Sequence, residues 1–225
     1  MVTTGGGVWA IVVAAGTGAR FGGAKQYERI HGRTVLEWSL ATARATCEGV
    51  VAVIPAADVG RRPLDASRPP DAVVAGGSTR SSSVRAGLAA VPADALVIVV
   101  HDAARPLAGR PLWDAAVAAV RAGADAALCA IEVTDTVKRV DGARVIDTVD
   151  RAGLVAVQTP QAFAAGALRA AHAAGGEATD DGALVEAAGG KVVVVPGSPL
   201  NIKITHPHDV AIAEALATFA REGLA

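Results

Sequence analysis

Arg20 and Lys25 stand inside a glycine-rich segment, Ala14-Ala15-Gly16-Thr17-Gly18-Ala19-Arg20-Phe21-Gly22-Gly23-Ala24-Lys25, that follows an apolar run. Glycine lets backbone amides approach a phosphate closely, and the carboxyl end of a parallel strand is where such ligands bind. Gly16 and Gly18 begin a dinucleotide fingerprint that Phe21 breaks, and the second apolar run ends Ile54-Pro55 instead of on an acid. A Walker loop is excluded too, because Lys25 follows Ala24 and precedes Gln26. A glycine loop carrying two cations suits a triphosphate better than a diphosphate bridge.

Three further segments carry chemistry. In His101-Asp102-Ala103-Ala104-Arg105-Pro106, Asp102 offers oxygen to a divalent metal and Arg105 offers a bidentate grip on a phosphate. The plainer reading is an Asp–Arg surface pair with Pro106 closing a turn. In Gly76-Gly77-Ser78-Thr79-Arg80-Ser81-Ser82-Ser83, the glycines admit a flat base against bare backbone, and capping accounts for only one serine. Lys203, inside Asn201-Ile202-Lys203-Ile204-Thr205, sits in an apolar setting that calls for an anion. Arg20, Lys25, Arg80, Arg105 and Lys203 thus gather at strand-to-helix joints of a chain whose net charge is only −1. Such a distribution points to a small polyanionic ligand and away from nucleic acid or an anionic membrane, which demand a basic excess.

The elements that must position these residues are legible as a rhythm. Short Val- and Ile-rich runs at Val8–Ala14, Val50–Ile54, Ala72–Ala75, Ala95–Val100, Ala126–Val133 and Val192–Val195 predict strands. They are continuous instead of alternating, as a sheet covered on both faces requires. Between them, Thr34–Ala45, Ser81–Ala90, Arg110–Ala122, Ala164–Ala174, Asp180–Ala188 and Pro207–Arg221 have helical spacing and are dense in alanine. This alternation predicts a mostly parallel α/β sheet with right-handed crossovers. The 225 residues, 52% of them hydrophobic and 19% charged, exclude a disordered chain and are read as one domain over 1–225. Cys47 and Cys129 form no disulfide framework or ligand cluster, which implies a reducing compartment. No apolar run is long enough to span a bilayer, and Met1–Val8 lacks the pattern of a secretory leader. The expectation is a cytoplasmic protein.

Thr134–Val149 breaks the rhythm. It has no helical pattern and carries Asp141-Gly142, a hairpin signal between β-rich arms. A lone ribbon is marginally stable in water, and this one presents Val137, Val140, Val145, Ile146 and Val149. Either it folds back on its own domain or it packs on a second copy in a two-fold homodimer; the second reading is preferred.

With these segments in hand, the chain resembles the 2-C-methyl-D-erythritol 4-phosphate cytidylyltransferases of the non-mevalonate isoprenoid route. The segments AAGTGARF, AKQY, HDAARP, TDTVKR, TVDRAGL, TPQAF, ATDDGA and NIKITHPHD match that family's pattern in order. The resemblance implies a Rossmann-like three-layer nucleotidyltransferase fold with a protruding β-hairpin arm over 134–157. It implies cytidylyl transfer from CTP to methylerythritol phosphate, with Mg²⁺ and release of pyrophosphate. Arg20, Lys25 and Lys203 match the positions that stabilise the reacting phosphorus. Ala14, Ala15, Gly16, Gly77 and Ser83 would surround the cytidine, with Gly18 in the same nucleotide loop. Asp102 would face the ribose and hold the metal. Arg105, Thr159 and Lys203 would meet the acceptor phosphate, while Thr136 and Arg151 would reach into a partner's site.

Leu200 and Ser78 stand where the family often has acids, and Asp181 stands where it has a glutamate. In His206-Pro207-His208-Asp209 the two histidines fit one helical face poorly, so capping by Thr205 or Asp209 is expected there instead of metal binding. A related cytidylyltransferase acting on another polyol phosphate, or a nucleotide-binding regulator without activity, are the alternatives. Intact Arg20, Lys25 and Lys203 argue against the regulator.

Overall fold

The computed structural model describes residues 7–61, 64 and 69–221. Residues 1–6, on which the reading about a leader partly rested, lie outside the described residues. The Val-rich runs supply six strands of one sheet, which has seven strands in all. These are β1 (Val8–Val13), β4 (Gly49–Ile54), β5 (Ala72–Ala75), β6 (Val97–Asp102), β7 (Ala126–Glu132), β10 (Val155–Ala164) and β11 (Val192–Pro196), in the order β11-β7-β10-β6-β1-β4-β5. A two-residue pair, β2 (Arg29–Ile30) with β3 (Arg33–Thr34), and a hairpin, β8 (Val137–Asp141) with β9 (Arg144–Val149), stand apart from it. Every residue of β4 is buried, which explains its unbroken apolar sequence.

Helices clothe both faces. α1 (Val35–Thr46) and α3 (Arg110–Arg121) bury Leu36, Leu40, Trp113 and Val120 in one core. α2 (Arg80–Ala90), α4 (Ala165–Ala173) and α5 (Asp181–Ala187) bury Val84, Leu88, Leu168 and Val185 in the other. α6 (His208–Arg221) packs Ala213 and Ala217 against Ile30, Val35 and Ile204. The boundaries follow local chemistry. The Thr34 hydroxyl accepts from the Glu37 amide while the Glu37 carboxylate accepts from the Thr34 amide, closing a capping box on α1. Pro111 occupies the first turn of α3, and Gly123 and Gly189 take positive φ after α3 and α5.

One central strand was not read from the sequence. β10 runs antiparallel between β6 and β7, and contains Gln158, Thr159, Pro160 and Gln161, a string that reads as a break. The ladder to β7 slips register between Val157 and Gln161, around a cis Thr159-Pro160 peptide, so the proline's missing amide falls where no bond is needed. Its first residues, Val155–Val157, pair with β7 as part of the main sheet, although the sequence reading grouped them with the arm. The hairpin itself forms as expected, with Asp141 opposite Arg144, so the connection is Gly142-Ala143, one residue beyond the expected pair. Its two strands pack substantially on no other described helix or strand. Val140, Val145 and Ile146 remain more than half exposed. No described helix is long and apolar enough to cross a membrane.

Candidate functional site

The strand order reverses direction of growth at β1, which lies between β4 and β6, and the crevice beyond the carboxyl ends of these strands is where such sheets take ligands. A pocket of about 420 Å³ occupies that position. Its floor is the bare backbone leaving β1, from Ala14 to Thr17, and one wall is Gly77 with Ser83. At Gly18, φ is +68° and a Cβ would fall 1.9 Å from the Gly23 carbonyl oxygen, so only glycine lets the loop close on itself. Ser83 is buried; its hydroxyl accepts from the Gly77 amide at 3.1 Å and donates to the Thr79 carbonyl at 2.8 Å. It therefore shapes the glycine wall.

A smaller cavity of about 200 Å³ adjoins the first and includes Arg105, Thr159, Gln158 and Asp180. Arg80, Asp102 and Lys203 line both, forming a partition of charges between two chambers. The Lys203 ammonium lies 2.6 Å from Asp102 Oδ2, and Arg80 Nε lies 3.2 Å from Asp102 Oδ1. The anion that Lys203 demanded is thus first supplied by the chain's own carboxylate. Burial alone would raise the Asp102 pKa; the charges of Arg80 and Lys203 outweigh it and hold this carboxyl well below the usual carboxylate range. Lys25 donates to the Ile204 carbonyl at 2.6 Å. Its pKa is lowered, first by burial and then by the like charges of Lys203 and Arg20.

Behind the partition, a chain of hydrogen bonds fixes the end of β6. The Asp102 amide donates to Thr159 Oγ1 at 3.0 Å, and Thr159 lies 3.2 Å from His101 Nδ1. His101 Nε2 lies 3.2 Å from the Arg105 carbonyl. One assignment satisfies all three: Nε2–H donates to the carbonyl, and the threonine hydroxyl donates to a bare Nδ1. That requires neutral imidazole, and burial pushes the His101 pKa down to about 4. Arg105 Nη1 donates to the Asn201 carbonyl at 2.7 Å, while the Asn201 side-chain amide donates to the Thr159 carbonyl at 2.9 Å. The turn containing Asn201 is thereby tied to β10, and Lys203 comes with it.

Most of the expected residues converge here. Ala14, Ala15, Gly16, Lys25, Gly77, Ser83, Asp102 and Lys203 line the larger pocket, and Arg105 and Thr159 the smaller. Gly18 shapes the loop without lining either cavity, and exposed Arg20 lines neither but is close enough for its charge to be felt at Lys25. Thr136 and Arg151 are exposed and lie outside both cavities; Arg151 donates to the Val133 carbonyl at 3.3 Å beside the hairpin. Arg80 was noticed only as one cation among five. A stronger signal was available, because a cation opening a helix opposes the helix dipole and needs a reason to be there. At the start of α6, Asp209 Oδ2 accepts from the amides of Thr205 and His206, as expected of a cap. The rings of His206 and His208 nonetheless lie parallel with centroids 5.5 Å apart, because His206 precedes the helix and is free of its 100° spacing.

A three-layer sheet with a glycine loop and converging cations at its carboxyl edge defines the nucleotidyltransferase class. The family model for 2-C-methyl-D-erythritol 4-phosphate cytidylyltransferase, IspD, matches residues 8–218, and the chain belongs to that family. It is 45% identical over 219 residues to the 2-C-methyl-D-erythritol 4-phosphate cytidylyltransferase of Nocardia farcinica, with 94% of each chain covered. It is 47% identical over 220 residues to a bifunctional IspD/IspF enzyme of Anaeromyxobacter dehalogenans, covering 92% of this chain but 56% of that protein. The chain spans about half the length of such bifunctional relatives. Among solved structures, the Thermus thermophilus cytidylyltransferase superposes with a TM-score of 0.79 at 37% identity, covering 95% of this chain and all of that one.

Proposed function

We propose that the chain transfers a cytidylyl group from CTP to 2-C-methyl-D-erythritol 4-phosphate, giving 4-diphosphocytidyl-2-C-methyl-D-erythritol and pyrophosphate for isoprenoid precursor synthesis. The observation that carries this reading is the charged partition of Arg80, Asp102 and Lys203 between two adjoining cavities. One chamber is floored by bare backbone suited to a nucleotide, and the other offers Arg105 to a phosphate. Thr159 lines it, but its hydroxyl proton is held by His101, so the part expected of that side chain toward the acceptor falls to Arg105. An acceptor phosphate, with a second pKa of about 6, is largely a dianion near pH 7. It attacks the α-phosphorus directly; a new P–O bond forms as the bond to the pyrophosphate oxygen breaks, and no general base is needed. The residues' task is alignment and charge stabilisation. Lys25 and Lys203, which both line the larger pocket, supply positive charge to the reacting phosphorus, and the Arg20 charge is felt at Lys25 beside them.

Asp102 is the residue that fits Mg²⁺. It is a carboxylate held ionised at the partition, and a magnesium ion commonly takes one or two carboxylates with substrate phosphates. When bound, Mg²⁺ offsets the charge of the departing pyrophosphate. Asp180, the other carboxylate lining either cavity among the described residues, lines only the smaller one and caps α5, whereas Asp102 lines both, and each of its oxygens keeps a lone pair beyond its contact with Arg80 or Lys203.

The same reading treats the chain as one nucleotidyltransferase domain whose arm pairs with a second copy, so that Thr136 and Arg151 complete the partner's acceptor chamber. The uncovered Val140, Val145 and Ile146 support it. The cytoplasm is the compartment assigned, on two unpaired thiols, Cys47 and Cys129, that burial pushes up to about 11 and about 12. Magnesium-dependent pyrophosphate release, with CTP and methylerythritol phosphate set against other triphosphates and polyol phosphates, is the test. Strong preference for this pair is expected; release indifferent to the acceptor would sink the reading.

A further inference from the structure

The guanidinium of Arg80 does not belong to the site alone. While its Nε meets Asp102 Oδ1, its Nη1 donates to Asp181 Oδ2 at 2.7 Å. Asp181 opens α5, 79 residues beyond Asp102 in the chain, and its side chain is wholly buried. The other oxygen of that carboxylate, Oδ1, lies 2.9 Å from Nε2 of His172 on α4, which is also buried. A carboxylate can only accept, so the imidazole donates. Asp102, Arg80, Asp181 and His172 therefore form one file running from the partition into the layer beneath it. Arg80 Nη2, at its centre, is buried without a partner.

A wholly buried carboxylate is costly unless paired and hydrogen-bonded, and two charged or donating groups on two different helices are devoted to this one. Nothing in the packing of α4 on α5 demands it, since an apolar pair would fill the same space. What Asp181 does accomplish is geometric. A guanidinium with one carboxylate neighbour grips it with both nitrogens of a fork. With Asp181 holding Nη1, the guanidinium is set so that Nε meets Asp102 Oδ1 while Nη2, the nitrogen that would complete a fork with Nε, has no partner, and Asp102 Oδ2 is left to Lys203. The charges of Arg80 and Asp181 sustain one another, as the elevated Arg80 pKa reflects: burial lowers it and the two carboxylates more than reverse that.

We propose that Asp181, braced by His172, is a positioning residue that keeps Arg80 monodentate on Asp102 and so keeps Lys203 at the partition. The proposal deepens the functional reading above and rests on it for its kinetic consequence, but not for its geometric one. On Asp181→Asn, the guanidinium is expected to swing onto both Asp102 oxygens and displace the Lys203 ammonium. A displaced cation of this kind lowers kcat by about 10- to 100-fold, since misplacement near 1 Å reaches that size, while KM for the nucleotide changes little. Asp181→Glu, which keeps the carboxylate, is expected to restore most of kcat. In an Arg80→Lys background, where one ammonium replaces the fork, Asp181→Asn should add nothing further.

The experiment is a crystal structure of Asp181→Asn beside wild type, with kcat and KM for the two variants and the double variant. His172→Gln, which retains a donor in place of Nε2, serves if Asp181→Asn does not fold, and His172→Ala is then the disruptive member. Arg80 and Lys203 found unmoved in the disrupted variant would overturn the proposal. So would losses in kcat that are additive with Arg80→Lys, or equal losses in every parameter together with a lower melting temperature, which mark a structural role only. A wild type inactive with CTP and methylerythritol phosphate would refute the functional reading, and the two crystal structures would still decide the geometry.

Discussion

The crest of the sheet and the hairpin arm treat their side chains in opposite ways. At the crest, charges and amides are partnered inside the chain: Lys203 and Arg80 on Asp102, Arg105 on the Asn201 carbonyl, Thr159 on both the Asp102 amide and His101. On the arm it is apolar groups that lack company, with Val140, Val145 and Ile146 exposed beside a largely solvated Arg139–Asp147 pair at 3.3 Å. Solvent-exposed pairs of that kind contribute at most about 1 kcal/mol, so the ribbon's own contacts do not stabilise it far. The contrast teaches that polar groups at the crest are ordered by partners within the chain, whereas the arm's apolar side chains are left exposed by every described helix and strand.

The sharpest way to break this comparison is at the crest. Lys25→Ala is expected to lower turnover by about 10²- to 10³-fold, the size seen for loss of one charge-stabilising donor, with the far-ultraviolet spectrum and melting temperature preserved. An unchanged rate in a pyrophosphate-release assay would remove Lys25 from the chemistry.

Next in size is a stability effect. Folded His101 resists protonation down to about 4, whereas the unfolded residue takes its proton near 6.5. Its contribution is therefore complete above pH 6.5 and is lost as pH falls toward 4, amounting to about 3 kcal/mol. Denaturant midpoints measured at pH values of about 7, 5.5 and 4.5 should fall accordingly, and His101→Gln should flatten the dependence. An equally steep decline in His101→Gln would assign it to other groups.

On the arm, Arg151→Ala is expected to weaken acceptor binding about tenfold, as loss of one charged hydrogen bond does, with CTP affinity retained. Mixing this variant with Lys25→Ala should recover activity in hybrid dimers, each of which holds one intact site. Mixtures as inactive as their components would confine Arg151 to its own chain. Smallest is the alkaline limb of kcat/KM for CTP. Burial first, then Lys203 and Arg20, lower the Lys25 pKa, so the limb should begin below that of an ordinary lysine. Arg20→Gln should move it upward; a limb that stays in place would separate Arg20 from Lys25.

The order of α/β elements, the glycine loop and the hairpin could all be read along the chain because each is local. Apolar runs, caps and Asp-Gly pairs act over a few residues. The cations were legible as types at strand-to-helix joints, and family motifs tied them to a reaction. β10 was not legible, because Gln158-Thr159-Pro160-Gln161 carries no strand signal and owes its extended form to two strands remote in sequence, which set Val100 and Leu128 on either side of Gln161. Arg80 was seen as a charge without a partner, since Asp181 lies 101 residues from it.

What the sequence determined by itself was therefore an α/β protein with its cations at strand-to-helix joints and the motifs of its family in order. Which cation meets which carboxylate, that Lys203 answers to Asp102, and that a buried histidine and aspartate stand behind Arg80, were decided only when the crossovers brought distant strand ends together. Charge pairing acts over a few ångströms of space and is indifferent to distance along the chain.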